Sequence, residues 1–230
     1  MAARSSGATG AARKADPVTA GAAGAAAAGG SGRTARGERT RAALVAAART
    51  VFERDGFLGS RLTDITAEAG CATGTFYTWF AGKEEVFAAV LDAARDDMLH
   101  PGAAHVDDSD DPVAVIEAST RAYLEAYQRN AKLMVLQEQV ATIDAEFRAQ
   151  RLARGEAFIQ RNARSIERLQ RRGLVDARLE PVMTATALSS MVGRLAYTAF
   201  GLGADWSVDE LVETCTLLWT NALGLRPAAG

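Results

Sequence analysis

Between Thr73 and Phe80 the chain reads Thr-Gly-Thr-Phe-Tyr-Thr-Trp-Phe. Hydroxyl tips alternate there with aromatic bodies around a single glycine. On a helix Phe76 and Phe80 lie four residues apart and share one face, which suits them to burial. Thr73, Gly74, Thr75, Tyr77, Thr78 and Trp79 then share the outer face and its edges. Threonine hydroxyls can donate to or accept from base edges, and threonine methyls can touch a thymine methyl. Gly74 has no side chain to hold the backbone off a base pair. The Tyr77 hydroxyl and the Lys83 ammonium suit phosphate oxygens, which set register and not sequence. This is the chemistry of non-covalent recognition, with no bond made or broken.

Covalent chemistry has few candidates. The only histidines are His100 and His105. Both lie in an acidic stretch, His100 to Asp111, with no patterned Ser or Cys beside them. The two cysteines, Cys71 and Cys215, are far apart and form no zinc spacing. The acidic stretch matches no structural metal pattern either and reads as a solvated connector. No phosphate-binding loop or dinucleotide fingerprint occurs. We therefore expect a protein that is not an enzyme, with no cofactor and no metal. No apolar run reaches the ~20 residues of a membrane span, and the cysteine usage fits a reducing compartment, so the expected location is cytoplasmic.

The formal net charge of −2 hides an uneven distribution. Arg4, Arg13, Lys14, Arg33, Arg36, Arg39 and Arg41 face only Asp16 and Glu38 at the N-terminal end. Between Asp92 and Asp111 seven aspartates face the single base Arg95. A basic end beside an acidic middle suggests that the N-terminal end meets an anion. Residues 1–36 are rich in Ala, Gly, Ser and Thr and are expected to be a disordered basic arm. After it the periodicity is helical throughout: 38–54, ending at Gly56; 62–69, with Ser60 as its cap; 73–80; 83–99; then 112–129, opened by Asp111-Pro112, 131–141, 144–172, 181–202 and 207–223. No segment alternates with period two. The fold class is all-α, with a three-helix N-terminal domain at 37–82 joined to a larger helical domain at 83–230.

The residues Gly56-Phe57, Leu62-Thr63-Asp64-Ile65-Thr66, Ala69-Gly70, Thr73 to Phe80, and Lys83-Glu84-Glu85-Val86-Phe87 together resemble the DNA-binding domain of the TetR family. The resemblance covers about residues 38–90. Thr66 departs from it, since the family usually has Ala there; its hydroxyl is expected to bond back to a helix carbonyl. The resemblance implies a helix-turn-helix whose DNA contacts are Thr63, Thr73, Gly74, Thr75, Tyr77, Trp79 and Lys83. It also implies a C-terminal domain that binds a small-molecule inducer and forms a homodimer, and a near-palindromic double-stranded operator as partner.

The inducer site is expected among 112–129, 131–141, 144–172 and the start of 181–202. There Tyr123, Tyr127, Met134, Gln137, Phe147, Phe158, Asn162 and Met183 offer apolar walls with a few polar tips. The homodimer is expected through the two C-terminal helices, by a stripe of small residues, Ala185, Ser189 and Gly193, and by Leu211, Cys215, Leu218 and Ala222. The expected function is a ligand-responsive repressor that releases its operator when a small hydrophobic molecule binds the C-terminal domain. The alternatives are an all-helical carrier or enzyme without DNA binding, and an activator of the same family.

Overall fold

The computed structural model describes residues 30–99 and 111–225. Thr40–Gly230 form one compact unit, and Met1–Arg39 group separately. Of the expected arm, residues 1–29 lie outside the described residues, as do His100 and His105. Gly30–Arg36, expected to be irregular, are helical and open α1 (Gly30–Gly59). Ala35 and Arg36 are strong helix formers, and elongation of an existing helix needs no burial of its own.

In α1 Leu44, Ala47, Ala48, Val51 and Phe52 recur at i, i+3, i+4, i+7 and i+8, and all are buried. Gly56 breaks the helix with φ 74 and ψ 169, and the last turn carries the buried Phe57. The next helix, α2 (Leu62–Glu68), buries Ile65 and Thr66. Its cap position is Arg61, without a side-chain cap bond. Ser60, the expected cap, is instead buried, its hydroxyl donating to the Phe57 carbonyl at 2.8 Å.

The α2 turn closes when Cys71 N–H donates to Thr66 O at 3.0 Å and Gly70 N–H to Ala67 O at 3.1 Å. This pair of bonds is a Schellman ending, and its C′ residue must be left-handed. Gly70 supplies that conformation at φ 62. From there the chain enters α3 (Thr73–Tyr77) and then α4 (Lys83–Leu99), which buries Val86, Phe87, Val90, Leu91 and Ala94.

The larger domain comprises α5 (Pro112–Arg129), α6 (Ala131–Ile143), α7 (Ala145–Arg171), α8 (Pro181–Ala196) and α9 (Val208–Leu223). Asp111 caps α5 by accepting from Val113 N–H at 2.9 Å, with Pro112 in the first turn as expected. Glu180 and Pro181 repeat the device on α8. A capping box of Ser207 and Glu210 opens α9. The expected single helix 181–202 ends early: α8 gives way to a π-turn, Tyr197–Gly201. At Gly201 a Cβ would stand 3.0 Å from Val135 Cγ2, so a side chain there would press on α6.

One buried cluster runs from Leu44 through Phe87, Leu124 and Leu133 to Cys215. A second joins Ala163, Ile166, Val175, Ala185, Leu223 and Leu225. In this all-α arrangement α5 lies along α9 and α7 along α8. Among the described residues there is no strand, and no helix is long and apolar enough to cross a membrane.

Candidate nucleic-acid interface and effector body

The candidate recognition surface centres on α3. Phe76 is fully buried and Phe80 nearly so, and their rings stand 5.6 Å apart. They fix α3 against α2, whose Ile65 is also fully buried. The helical path continues past Tyr77, with Trp79 and Phe80 N–H both donating to Phe76 O. Thr73, Gly74 and Tyr77 are exposed, Thr75 is half-buried, and Thr63 is exposed at the start of α2. Tyr77 keeps 56% of its surface open, although its ring edge rests on Phe76 at 5.6 Å. A Cβ built on Gly74 would meet nothing within 4 Å. The packing of the chain therefore does not require glycine there. Thr66 donates its hydroxyl to Thr63 O at 3.1 Å, the back-bond expected of it.

Two expected contacts are placed differently. Lys83 is half-buried and turned inward: Nζ donates to Phe57 O at 2.7 Å and to Ser60 O at 3.2 Å, and stands 4.7 Å from the Phe57 ring centroid. The end of α1 leaves carbonyls without helical partners, and the ammonium satisfies them. Trp79 is half-buried and packs against the core cluster. Both residues tie the helix-turn-helix together. Conversely, the structure exposes two arginines that spacing alone did not single out. Arg61 stands exposed at the α2 cap beside Thr63, and Arg41 holds its guanidinium 5.2 Å from the Phe80 ring. A base directly preceding the first residue of an expected helix is the signal that could have found Arg61.

In the larger domain the expected inducer residues divide. Tyr123, Tyr127 and Phe158 come together: Tyr123 lies 6.0 Å from Tyr127 and 5.7 Å from Phe158 by ring centroids. Asn162 Nδ2 donates to Ser189 Oγ at 3.0 Å. Phe200 from the π-turn joins at 6.4 Å from Tyr127. Burial pushes the Tyr123 phenol up to about 12 and raises Tyr127 as well, with Tyr123 and Glu138 adding to the latter. Both phenols therefore stay neutral and can act as donors. The Arg151–Glu138 ion pair, Nε to Oε1 2.9 Å, contributes to the field at Tyr127. Gln137 is half-buried on α6.

The remaining three serve other purposes. Phe147 is buried against Phe87 at 5.5 Å and Phe57 at 6.2 Å, so it joins α7 to the first domain. Met134 is core. Met183 is 69% exposed on the first turn of α8 and lines no interior wall. The small-residue stripe also faces inward: Ala185 is fully buried, Ser189 holds Asn162, and Gly193 approaches the Tyr123 hydroxyl, 3.6 Å from where its Cβ would stand. Close helix approach is what small residues permit, and here it occurs within the chain.

Residues 44–90 match the family model for bacterial regulatory proteins of the tetR family. That segment, from α1 into α4, carries the sequence pattern of the tetR-family DNA-binding domain. Over 62 residues it is 32% identical to an uncharacterised HTH-type transcriptional regulator, YfiR, of Bacillus subtilis, covering 27% of this chain and 30% of that one. Over 105 residues it is 30% identical to the HTH-type transcriptional repressor BepR of Brucella suis, covering 44% of this chain and 49% of the relative. These matches thus span less than half of either relative. Solved structures share the fold over more of the chain. A transcriptional regulator of Rhodococcus sp. superposes with a TM-score of 0.67 at 21% identity, covering 81% of this chain and 99% of that one. A TetR-like regulator from the same source gives 0.60 at 19% identity, covering 81% and 97%. The fold, a helix-turn-helix domain followed by a larger helical domain, is the one these regulators share. The family match itself stops at Val90, within α4.

Proposed function

We propose that this chain is a TetR-family operator-binding repressor that releases DNA when a small, largely apolar molecule enters the larger domain. The observation that carries the reading is the face of α3. Thr73, Gly74 and Tyr77 are exposed on a helix held from behind by buried Phe76 and Phe80, and Gly74 is free of any packing need. Thr63, Thr73, Gly74 and Thr75 face base edges, and Tyr77, Arg41 and Arg61 face phosphates. Residues 37–82 form the DNA-binding part and 83–230 the effector part. The inducer enters beside Tyr123, Tyr127, Phe158 and Asn162, where two neutral phenols stand among aromatic walls. A hydrogen-bond acceptor on an apolar frame suits such a place.

A helix-turn-helix with one recognition helix usually reads DNA as a twofold dimer. α9 supports that assembly, because Leu217 and Leu218 are 59% and 42% exposed while Leu211 and Cys215 on the same helix are buried. Met183 on α8 adds apolar surface. The test is fluorescence anisotropy with labelled DNA from upstream of the gene, against scrambled DNA of equal length. Tyr77→Ala should weaken both DNAs about tenfold, as loss of one charge-assisted hydrogen bond does. Thr75→Ala should weaken the operator and spare the scrambled DNA. Wild-type protein that does not distinguish the two DNAs would refute the proposal.

A further inference from the structure

A cleft of 310 Å³ opens between α1 and α6, floored by Phe52, Val135, Leu136 and Phe200, with Glu53 and Lys132 among its lining. Its volume is at the small end of the ~300–1,000 Å³ that ligand sites occupy. Its lining includes neither Tyr123, Tyr127, Phe158 nor Asn162, although Phe200 stands 6.4 Å from Tyr127 by ring centroids. The two charges on it are not equivalent. Glu53 is taken up by Arg49, Oε1 to Nε 2.8 Å. Lys132 is exposed and has no hydrogen-bond or ion-pair partner among the described residues. It also sits in the first turn of α6, a 13-residue helix that no side chain caps. The unpaired charge of the cleft is therefore positive, above an apolar floor.

We propose that this cleft is a second small-molecule site, for an amphipathic carboxylate whose chain lies along the half-buried Val135 and Phe200 and whose anion meets Lys132. Its position gives it a consequence for regulation. Beside it Arg49 of α1 donates to Arg129 O at 3.3 Å, and Arg129 and Asn130 bond Asp97 of α4 at 3.0 and 2.9 Å. An occupant therefore bears on the seam where α1 and α4 meet the α5–α6 turn. α1 is also the helix whose Leu44, Val51 and Phe52 belong to the same buried cluster as Ile65 and Phe76 of the DNA-binding domain. The regulatory half rests on the DNA-binding reading; the binding half does not.

The test uses the full chain and octanoate as the probe, with octanol and octylammonium as comparators, by isothermal calorimetry. Octanoate should bind more tightly than octanol. Lys132→Glu should weaken octanoate at least fivefold and improve octylammonium. Because Lys132 is exposed, this variant should keep the wild-type melting temperature. Val135→Trp, which fills the floor, gives a second arm and should abolish octanoate binding. Equal binding of octanoate and octanol, or Lys132→Glu binding octanoate as wild type does, overturns the site. So does loss of octanoate binding in Tyr123→Leu alone, which would place the probe in the interior cluster. Saturating octanoate that leaves operator affinity within twofold overturns the regulatory half.

Discussion

Replacing Lys83 by Met separates two physical roles for this residue. Met keeps most of the stem and removes the ammonium, so the Phe57 and Ser60 carbonyls lose their donor. Hydrogen bonds to a charged group are worth about 1.5–3 kcal/mol each, and a cation over an aromatic face about 0.5–1 kcal/mol. Lys83 is half-buried, and water can replace part of what is lost. The expected cost is thus about 2–3 kcal/mol, well below the sum. For a chain of this size each kcal/mol moves the melting temperature by about 2–4 °C, so a fall of roughly 4–12 °C is expected. The assay is thermal unfolding at fixed protein concentration, beside DNA affinity measured at several salt concentrations well below the melting point. A lysine that neutralises one phosphate would instead lower the salt slope by about one and leave the melting temperature unchanged. That second pattern would refute the placement of Lys83 as an internal tie.

Phe147→Ala should destabilise by about 3–4 kcal/mol, because it empties a buried ring site between Phe57 and Phe87; urea unfolding measures it, and a loss below 1 kcal/mol would mean that the junction collapses to fill the gap. Leu217→Glu with Leu218→Glu should yield a folded monomer by light scattering, with operator affinity lost; an unchanged dimer moves the interface off α9. The Arg129 guanidinium, and then Asn130, hold the Asp97 carboxyl below its ordinary value. That contact stabilises the native state above the ordinary carboxylate range and is lost as pH falls through the lowered native value. Asp97→Asn should therefore be less stable than wild type at about pH 7 in urea, with the gap closing toward about pH 3. A gap that stays constant across that range would mean the carboxylate's charge contributes nothing there.

What could be read in the residues was local. The Gly70 turn, the Asp111-Pro112 helix start and the Thr66 back-bond each depend on neighbours within five positions, and each is present. Burial of Phe76 and Phe80 followed from helical spacing alone. What escaped depends on which elements meet in space. Lys83 turns inward because the end of α1, more than twenty residues earlier, brings two carbonyls to it. Phe147 has the composition of a pocket wall, but the start of α7 reaches Phe57 and Phe87. The Ala185, Ser189 and Gly193 stripe marks close packing, and periodicity cannot say whether the partner is α5 and α7 of the same chain or a second copy. The π-turn at Tyr197 has no sequence signal of its own beyond the glycine that ends it.

Whether the exposed face of α3 reads DNA is decided by Gly74→Leu. A Cβ at Gly74 meets nothing within 4 Å, and its φ is not positive, so the variant should fold as wild type does. The account predicts an unchanged melting temperature together with at least a hundredfold loss of affinity for upstream DNA in the anisotropy assay, as expected when a bulky side chain blocks groove approach and about 3 kcal/mol of base contacts are lost. Gly74→Leu protein that melts normally and still binds that DNA as tightly as wild type would contradict it.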